Sequence, residues 1–297
     1  MWFRSCARLA KRALGRGIEH GWLLGFRALA ALMRRDVRRW SSPGGQQVLV
    51  VAPHPDDEAI GCAGTVLLHA QCGDRVCVAV ATDGGRSMAI PDRNAICRLR
   101  RREAGDAARL MRVDRLHWIG LPEGQWNIPD LQQALAALVE EVQPDIIYAP
   151  SRIDFHPEHL QVAHALALAL GGSRNPSTRN TRVRIYQIQV PLNPLITNLV
   201  ADVSAVSTDS DAALRAYASQ SGSIQGAYRQ RRYGASWHGI AGQAEEFCEL
   251  TAQRYVALHS QPPALWPQVF RGLRYFPLSD PLAYLAGMTE RRKIHAH

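Results

Sequence analysis

Short apolar runs alternate with helix-like segments along most of this chain. The runs lie at residues 47–52, 75–82, 115–121, 145–150 and 182–190. Helical patterns follow at 58–71, 98–111, 130–142 and 157–170, and two more are indicated at 209–219 and 242–250. Such alternation is typical of βαβ units on a parallel sheet. The pattern therefore predicts an α/β fold.

Two clusters of histidine and acidic residues each follow one of these predicted strands. The first is His54-Pro55-Asp56-Asp57-Glu58, and the second spans residues 154–159 with the sequence DFHPEH. Open α/β sheets bind ligands at the carboxyl ends of their strands, where the two clusters would meet. We therefore predict that both clusters contribute to one site.

The residue types of the two clusters indicate a metal. His54 and Asp57 are three residues apart, so both can converge above the first turn of a helix that begins near Asp56. His159 supplies a second imidazole from the other cluster. A catalytic zinc usually takes three such protein ligands and keeps one position for water. The predicted cofactor is Zn²⁺, held by His54, Asp57 and His159.

Hydrolysis at such a metal needs a base and a donor for the oxyanion. Asp56, beside a ligand, is the candidate general base. His156 is the candidate donor to the oxyanion and to the departing amine, provided that its imidazole is protonated. The carboxylate of Glu158 or Asp154 would orient that imidazole as its hydrogen-bond partner.

Simpler interpretations of the same residues stay open. The acidic run at residues 56–58 is also favourable at a helix N-terminus because of the helix dipole, and the two histidines of the second cluster would then be exposed loop residues. A bound metal without catalysis is another alternative. Asp83, at the end of the second predicted strand, would face the same rim as a substrate contact, yet Thr82-Asp83-Gly84-Gly85 is also a common loop sequence.

The net charge of +9 is concentrated in one segment. Residues 1–40 contain ten Lys and Arg against Glu19 and Asp36, which leaves the rest of the chain nearly neutral. This distribution predicts a basic arm and argues against a nucleic-acid-binding body. Aromatic and aliphatic residues alternate with the arginines of the arm, so it is expected to form amphipathic helix. That helix would lie on an anionic membrane surface, or pack on the protein itself or a second subunit.

Other cofactor classes lack their motifs in this sequence. No GxGxxG follows the first predicted strand, and neither a GxxxxGK[ST] nor a GxSxG motif occurs. The six cysteines form no CxxC pair, which favours a reducing, cytoplasmic compartment. No apolar stretch reaches the ~18 residues of a membrane span, and no secretory signal pattern is recognised.

Several short motifs together resemble the PIG-L/LmbE-like family of zinc-dependent N-deacetylases. They are PHPDDE at 53–58, TDGG at 82–85, RxxEA at 100–104, LPEG at 121–124 and HPEH at 156–159. The resemblance implies a Rossmann-like three-layer fold with the metal at the carboxyl ends of a mostly parallel sheet. It also implies removal of an N-acetyl group from an amino sugar of the N-acetylglucosamine type, free or in a glycoconjugate.

By motif position, the resemblance places the family's zinc ligands on His54, Asp57 and His159, its base on Asp56 and its oxyanion donor on His156. It also implies that Arg100 contacts substrate. One departure is that the family's second motif usually reads HPDH, whereas residue 158 is glutamate here.

The resemblance covers residues 46–250, which predicts a deacetylase domain there. A basic arm and linker at 1–45 would precede it, and a proline-rich extension at 251–297 would follow. The alternative is a carbohydrate-binding or scaffold protein that keeps the fold and the metal without turnover.

Overall fold

The computed structural model describes residues 2–33, 35–260 and 284–285, with the side chains of residues 17–33, 35–222, 224–260 and 284–285. Within them the strands are β1 Arg38–Arg39, β2 Gln47–Ala52, β3 Arg75–Thr82, β4 Arg115–Leu121, β5 Ile146–Ala149, β6 Arg182–Ile185, β7 Leu199–Asp202 and β8 Ala244–Thr251. The helices are α1 Trp2–Met33, α2 Asp57–Gln71, α3 Arg93–Leu110, α4 Ile128–Val142, α5 Pro157–Gly172, α6 Ser207–Ala216, α7 Ser221–Trp237 and α8 Ala252–His259.

The eight strands form one sheet in the order β1-β7-β8-β6-β5-β2-β3-β4. From β6 to β4 all neighbours are parallel, and only the pairs that β8 makes with β6 and β7 are antiparallel. β2 and β5 are adjacent and share the register Val50 to Tyr148. The strands that carry the two His/acid clusters therefore end side by side.

Helices cover both faces of the sheet. On one face α4, α5 and α8 contribute Leu135, Leu166 and Tyr255 to a buried core. On the other, α2, α3, α6 and α7 enclose a second core that includes Ala63 and Leu214. Strands covered on both sides must be apolar along their whole length, which explains why β2 and β3 read as continuous hydrophobic runs. The predicted α/β, three-layer, mostly parallel fold is confirmed.

Two predicted elements were wrong. The run at 182–190 ends as a strand at Ile185, and residues 242–250, predicted as helix, form strand β8. That segment contains Glu245 and Glu246. In the sheet they are buried with partners: Glu245 pairs with Arg231 at 2.7 Å, and Glu246 accepts a hydrogen bond from Tyr284 at 2.7 Å. Contacts with residues distant in sequence therefore stabilise a strand here that local propensity did not predict.

The arm forms one long helix, α1, whose described side chains pack on α7. Phe26 is buried among Tyr233, Trp237 and Tyr284. No helix among the described residues is long and apolar enough to cross a membrane. Helix α8 packs against α5, but residues 261–283 and 286–297, most of the predicted extension, lie outside the described part of the chain.

Candidate active site

A strained turn joins β2 to α2. Asp56 has a φ of 147°, in a region that residues with a side chain rarely adopt, and it directly precedes the first residue of α2. Its N–H donates to a Glu58 carboxylate oxygen at 3.3 Å, which holds the turn. Strain of this kind persists where surrounding contacts determine the geometry, and it concentrates at functional sites. The turn directs the Asp56 carboxylate toward Arg100 and the Asp57 carboxylate toward the two histidines.

The second cluster is formed where β5 leads into α5. Pro157 is the first residue of α5, and His156 is its N-cap. A proline is well suited to this position because its missing N–H would have no helical partner. His159 then lies in the first turn of α5 and is buried. The turn faces the start of α2 across the ends of β2 and β5.

Three donor atoms from the two turns converge on one point. His54 Nδ1 lies 3.2 Å from Asp57 Oδ2 and 3.1 Å from His159 Nε2. The third distance, from Asp57 Oδ2 to His159 Nε2, is 3.4 Å. Ligands about 2.0–2.1 Å from a tetrahedral zinc would be about 3.4 Å apart, so these atoms fit such an ion.

Two looser groups of potential ligands share His54. His54, His156 and His159 form one, and His54, Glu123, His156 and Glu158 form the other, with atoms within 4.8 Å of one another. The donor atoms of His54, Asp57 and His159 lie closer together, within 3.4 Å of one another. In addition, Nδ1 of His156 already accepts a hydrogen bond from the Glu158 N–H at 3.3 Å. We therefore favour His54, Asp57 and His159 as the site that could hold a metal.

The far side of each histidine in this group contacts a carboxylate. His54 Nε2 lies 2.8 Å from Glu158 Oε2, and His159 Nδ1 lies 3.0 Å from Asp154 Oδ1. The hydrogen bond with Glu158 fixes the tautomer of His54, so that its inner nitrogen keeps its lone pair for a metal. Burial opposes ionisation of Glu158, but its hydrogen bonds with His54 and Gly124 lower its pKa to about 2.

These contacts correct the expected roles of Glu158 and Asp154. One or the other was predicted to orient the His156 imidazole, but neither carboxylate contacts that ring; Asp154 Oδ1 instead accepts from the His156 backbone N–H at 3.0 Å. The helix start explains the difference, because the His156 ring is held by the Glu158 backbone while the Glu158 side chain extends across the site. Its Oε1 accepts from Gly124 N at 2.7 Å and from Trp126 Nε1 at 2.6 Å.

Asp56 lies beside the three donor atoms and is itself buried. Its Oδ1 accepts a hydrogen bond from Arg100 at 3.0 Å. Burial raises the pKa of Asp56 to about 6, although the Arg100 guanidinium acts in the opposite direction. Asp57 differs: burial opposes its ionisation too, but His159 and His54 lower its pKa well below the usual range. Adjacent carboxylates therefore have different proton affinities.

His156 is uncharged near neutral pH. Burial, together with His159 and His54, lowers its pKa to about 4. Protonation had been expected if this residue were to act as a donor. With Nδ1 accepting the Glu158 N–H, the neutral ring carries its proton on Nε2. A neutral His156 can still donate one hydrogen bond.

A cavity of about 470 Å³ opens over these groups. It is lined by His54, Asp56, Asp57, His156 and His159 and by parts of α7 and of the loop that follows β3. Arg100 also lines it; its Nε and Nη1 have no hydrogen-bond partner among the described residues, although the side chain is only 3% exposed. A buried guanidinium with open donors is suited to bind an oxygen-rich ligand.

Asp83 does not line this cavity in the way that its position at a strand end had suggested. Its Oδ1 accepts from the backbone N–H groups of Gly85 and Glu123 at 2.9 and 3.0 Å, and its Oδ2 binds Arg93 at 2.8 Å. All of these partners belong to loops or to the start of α3. Asp83 therefore connects the loops that border the site, and it is not among the residues that line the cavity.

Two cavity residues received no role from the sequence. Glu123, in the LPEG motif, lies 3.8 Å from His54 Nε2, and Gln220 follows a serine that binds Glu103. Glu123 belongs to the LPEG motif that resembles the family, so that motif was the available signal for it, whereas Gln220 lies outside the motifs at residues 53–159. The spacing of these residues along the sequence did not indicate which side chains would line the cavity.

Comparison with known proteins agrees with this geometry. Residues 49–170 match the family PIG-L, described as GlcNAc-PI de-N-acetylase, and this stretch contains both His/acid clusters. Residues 49–170 are a PIG-L domain. The resemblance inferred from the motifs is thereby confirmed.

The PIG-L domain has curated relatives in bacteria. The chain is 34% identical over 122 residues to the probable N-acetyl-alpha-D-glucosaminyl L-malate deacetylase 2 of Bacillus cereus. This alignment covers 38% of the chain and 53% of that protein, so the chain spans about half the length of the relative.

Solved structures share the fold of this chain but differ in reaction. N,N'-diacetylchitobiose deacetylase from Pyrococcus horikoshii superposes with a TM-score of 0.62 at 21% identity, covering 71% of this chain and 85% of that one. The 4-carboxy-2-hydroxymuconate hydratase from Pseudomonas putida gives 0.59 at 19% identity, covering 69% and 96%. Since both a deacetylase and a hydratase use this fold, the reaction must be argued from the site.

Proposed function

We propose that the chain is a metal-dependent deacetylase of an amino-sugar substrate of the N-acetylglucosamine type. The observation that supports this most strongly is the convergence of His54 Nδ1, Asp57 Oδ2 and His159 Nε2 within 3.4 Å at the floor of a cavity. A Zn²⁺ ion is the proposed cofactor, because two imidazoles and a carboxylate in this arrangement suit its tetrahedral coordination. A divalent ion held there would supply Lewis acidity to polarise a carbonyl and acidify water.

Asp56 is the proposed general base. Its Oδ1 is engaged by Arg100, which leaves Oδ2 to take a proton from the attacking water. A carboxyl whose pKa is about 6 is mostly ionised near neutrality, so it can accept a proton, and it is close enough to neutrality to return that proton. The same group can then deliver that proton to the departing amine.

His156 is the proposed donor to the oxyanion. With Nδ1 bound to the Glu158 N–H, Nε2–H is the remaining donor, and the residue lines the same cavity as Asp56. A fixed donor aimed at a developing negative charge requires no reorganisation during the reaction. Arg100, with two open donors, is the proposed contact for a sugar or acyl oxygen.

The amino-sugar assignment is supported by the names of the relatives. The family description and the Bacillus cereus relative both specify an N-acetylglucosaminyl group. The cavity volume of about 470 Å³ suits a sugar with a further substituent. A non-catalytic carbohydrate-binding role is less well supported, since an intact base, donor and metal group would then have no purpose.

The test is acetate release from an N-acetylglucosamine glycoside. We expect activity that is lost on chelation and restored by zinc. Asp56→Asn should lower kcat by about 10²- to 10⁴-fold while zinc binding persists, because the base is removed and the three donor atoms remain. Asp106→Asn, at an exposed carboxyl of α3, serves as the matched control. Full activity in Asp56→Asn would contradict the assignment of the base.

A further inference from the structure

The outward face of α1 is apolar although it faces solvent. Five large hydrophobic side chains are exposed among those that the structure describes, and three of them belong to this helix: Ile18, Leu24 and Leu32, which are 56%, 52% and 82% exposed. The opposite face, with Phe26, is occupied by α7. Both faces of this half of the helix are therefore hydrophobic, but only one has a partner among the described residues.

Small residues complete the outward face. They are Gly17, Gly21, Gly25, Ala28 and Ala31, all exposed. A Cβ built on any of the three glycines would meet nothing within 4 Å. The exposed polar residues interrupting this face are His20 and Arg27. The surface is thus flat and largely uncharged from residue 17 to residue 32.

The charge around this surface indicates what it contacts. Residues 1–40 contain ten Lys and Arg and only two acidic residues, and one of the two, Glu19, is neutralised by Arg232 at 2.7 Å. An apolar helix face within strongly basic sequence is typical of helices that lie in an anionic lipid interface. A second copy of the same arm would bring like charges together, so this geometry disfavours self-association through α1.

The register of α1 on α7 directs the turns of α1 that precede this surface toward the active site. Glu19 contacts Arg232 and the carbonyl of Leu23 accepts from Ser236, and both pairs are separated by 213 residues. An equal offset at two points means that the helices run parallel. Since both rise about 1.5 Å per residue, residues 9–16 continue alongside 222–229. That stretch of α7 contributes Gly222, Gln225, Gly226 and Arg229 to the cavity lining.

We propose that α1 is a peripheral membrane anchor that binds anionic phospholipid through its outward face, beside the mouth of the cavity. The apolar residues would enter the boundary between headgroups and acyl chains, while the basic residues of the arm approach lipid phosphates. Helix α7, buried against the inward face, transmits the position of the anchor to the active site. The enzyme would then work with its cavity next to a bilayer surface.

Co-sedimentation of the full-length protein with vesicles tests this proposal. Vesicles of phosphatidylcholine with phosphatidylglycerol should bind the protein at least tenfold more strongly than phosphatidylcholine alone, and added salt should weaken the binding. The double variant Leu24→Glu, Leu32→Glu changes only exposed side chains and should lose at least tenfold in vesicle binding. Leu110→Glu, at the exposed end of α3, is the matched control and should bind normally.

A second variant separates charge from apolar contact. Arg4→Glu combined with Arg8→Glu and Arg12→Glu should abolish the preference for anionic vesicles. Equal binding by wild type and the double leucine variant would overturn the proposal, as would equal binding to both vesicle types. A dimer that the leucine variant disrupts, without any vesicle binding, would assign the face to a second copy. None of these measurements requires deacetylase activity, so their outcome is independent of the proposed function.

Discussion

Replacing Glu158 by glutamine should weaken metal binding, because this carboxylate fixes the proton of a proposed ligand. Glu158 Oε2 lies 2.8 Å from His54 Nε2 and accepts its hydrogen there, leaving Nδ1 unprotonated toward Asp57 and His159. In Glu158→Gln, the Oε1 position can still accept from Gly124 and Trp126. The amide NH₂ then faces His54 Nε2 and favours the tautomer with its hydrogen on Nδ1.

The magnitude follows from the loss of this orientation. Removing the carboxylate behind a metal-bound histidine typically weakens metal affinity about 10- to 100-fold, or about 1.4–2.7 kcal/mol. Glu158→Asp shortens the side chain by about 1.5 Å and takes the carboxylate out of hydrogen-bond range of His54, so a smaller loss is expected without the unfavourable tautomer. The Glu158→Asp variant has the HPDH sequence of the family motif, so it also tests the effect of this departure from the motif.

Competition with a fluorescent zinc chelator measures the affinities. Glu140→Gln, at an exposed carboxylate of α4, is the control for a charge change remote from the site. Thermal unfolding of the metal-free proteins separates a loss of metal affinity from a loss of stability. Zinc affinity of Glu158→Gln within about twofold of wild type would refute the assignment of His54 Nδ1 as a ligand atom held by Glu158.

Two further predictions concern stability. Burial lowers the pKa of His69 to about 4, so the folded protein holds it neutral; its stabilising contribution is complete above pH 6.5 and is lost as the pH falls toward 4. Urea titrations should show wild type losing about 2 kcal/mol more than His69→Gln between pH 7 and pH 5, and equal losses would contradict this. Arg231→Met should lower the free energy of unfolding by about 3–5 kcal/mol, because it leaves the buried carboxylate of Glu245 without its counter-ion. Arg232→Met, which removes only the exposed pair with Glu19, should cost less than about 1 kcal/mol, and similar losses in both variants would argue against the buried ion pair.

The hydrophobic pattern along the sequence was sufficient to predict the bounds of several strands and helices. Strands β2, β3 and β4 were predicted with the bounds that the structure shows, and α4 and α5 within two residues. Strands β2 and β3 are covered on both sides by the cores, so their buried residues form continuous apolar runs, whereas β4 lies at the sheet edge and α4 buries only one face. The same reasoning failed at β8, where buried glutamates depend on Arg231 and Tyr284, residues that come from distant parts of the chain.

The sequence by itself determined the fold class and the clusters that form the site. Histidine and acidic residues after two parallel strands lie along the same sheet edge, and the three proposed ligands meet there because β2 and β5 are adjacent. The tertiary structure alone decided which carboxylate supports which imidazole. Glu158 reaches His54, Asp154 reaches His159 and Asp83 holds loops, because side-chain direction at a helix start depends on contacts between elements that sequence spacing does not record.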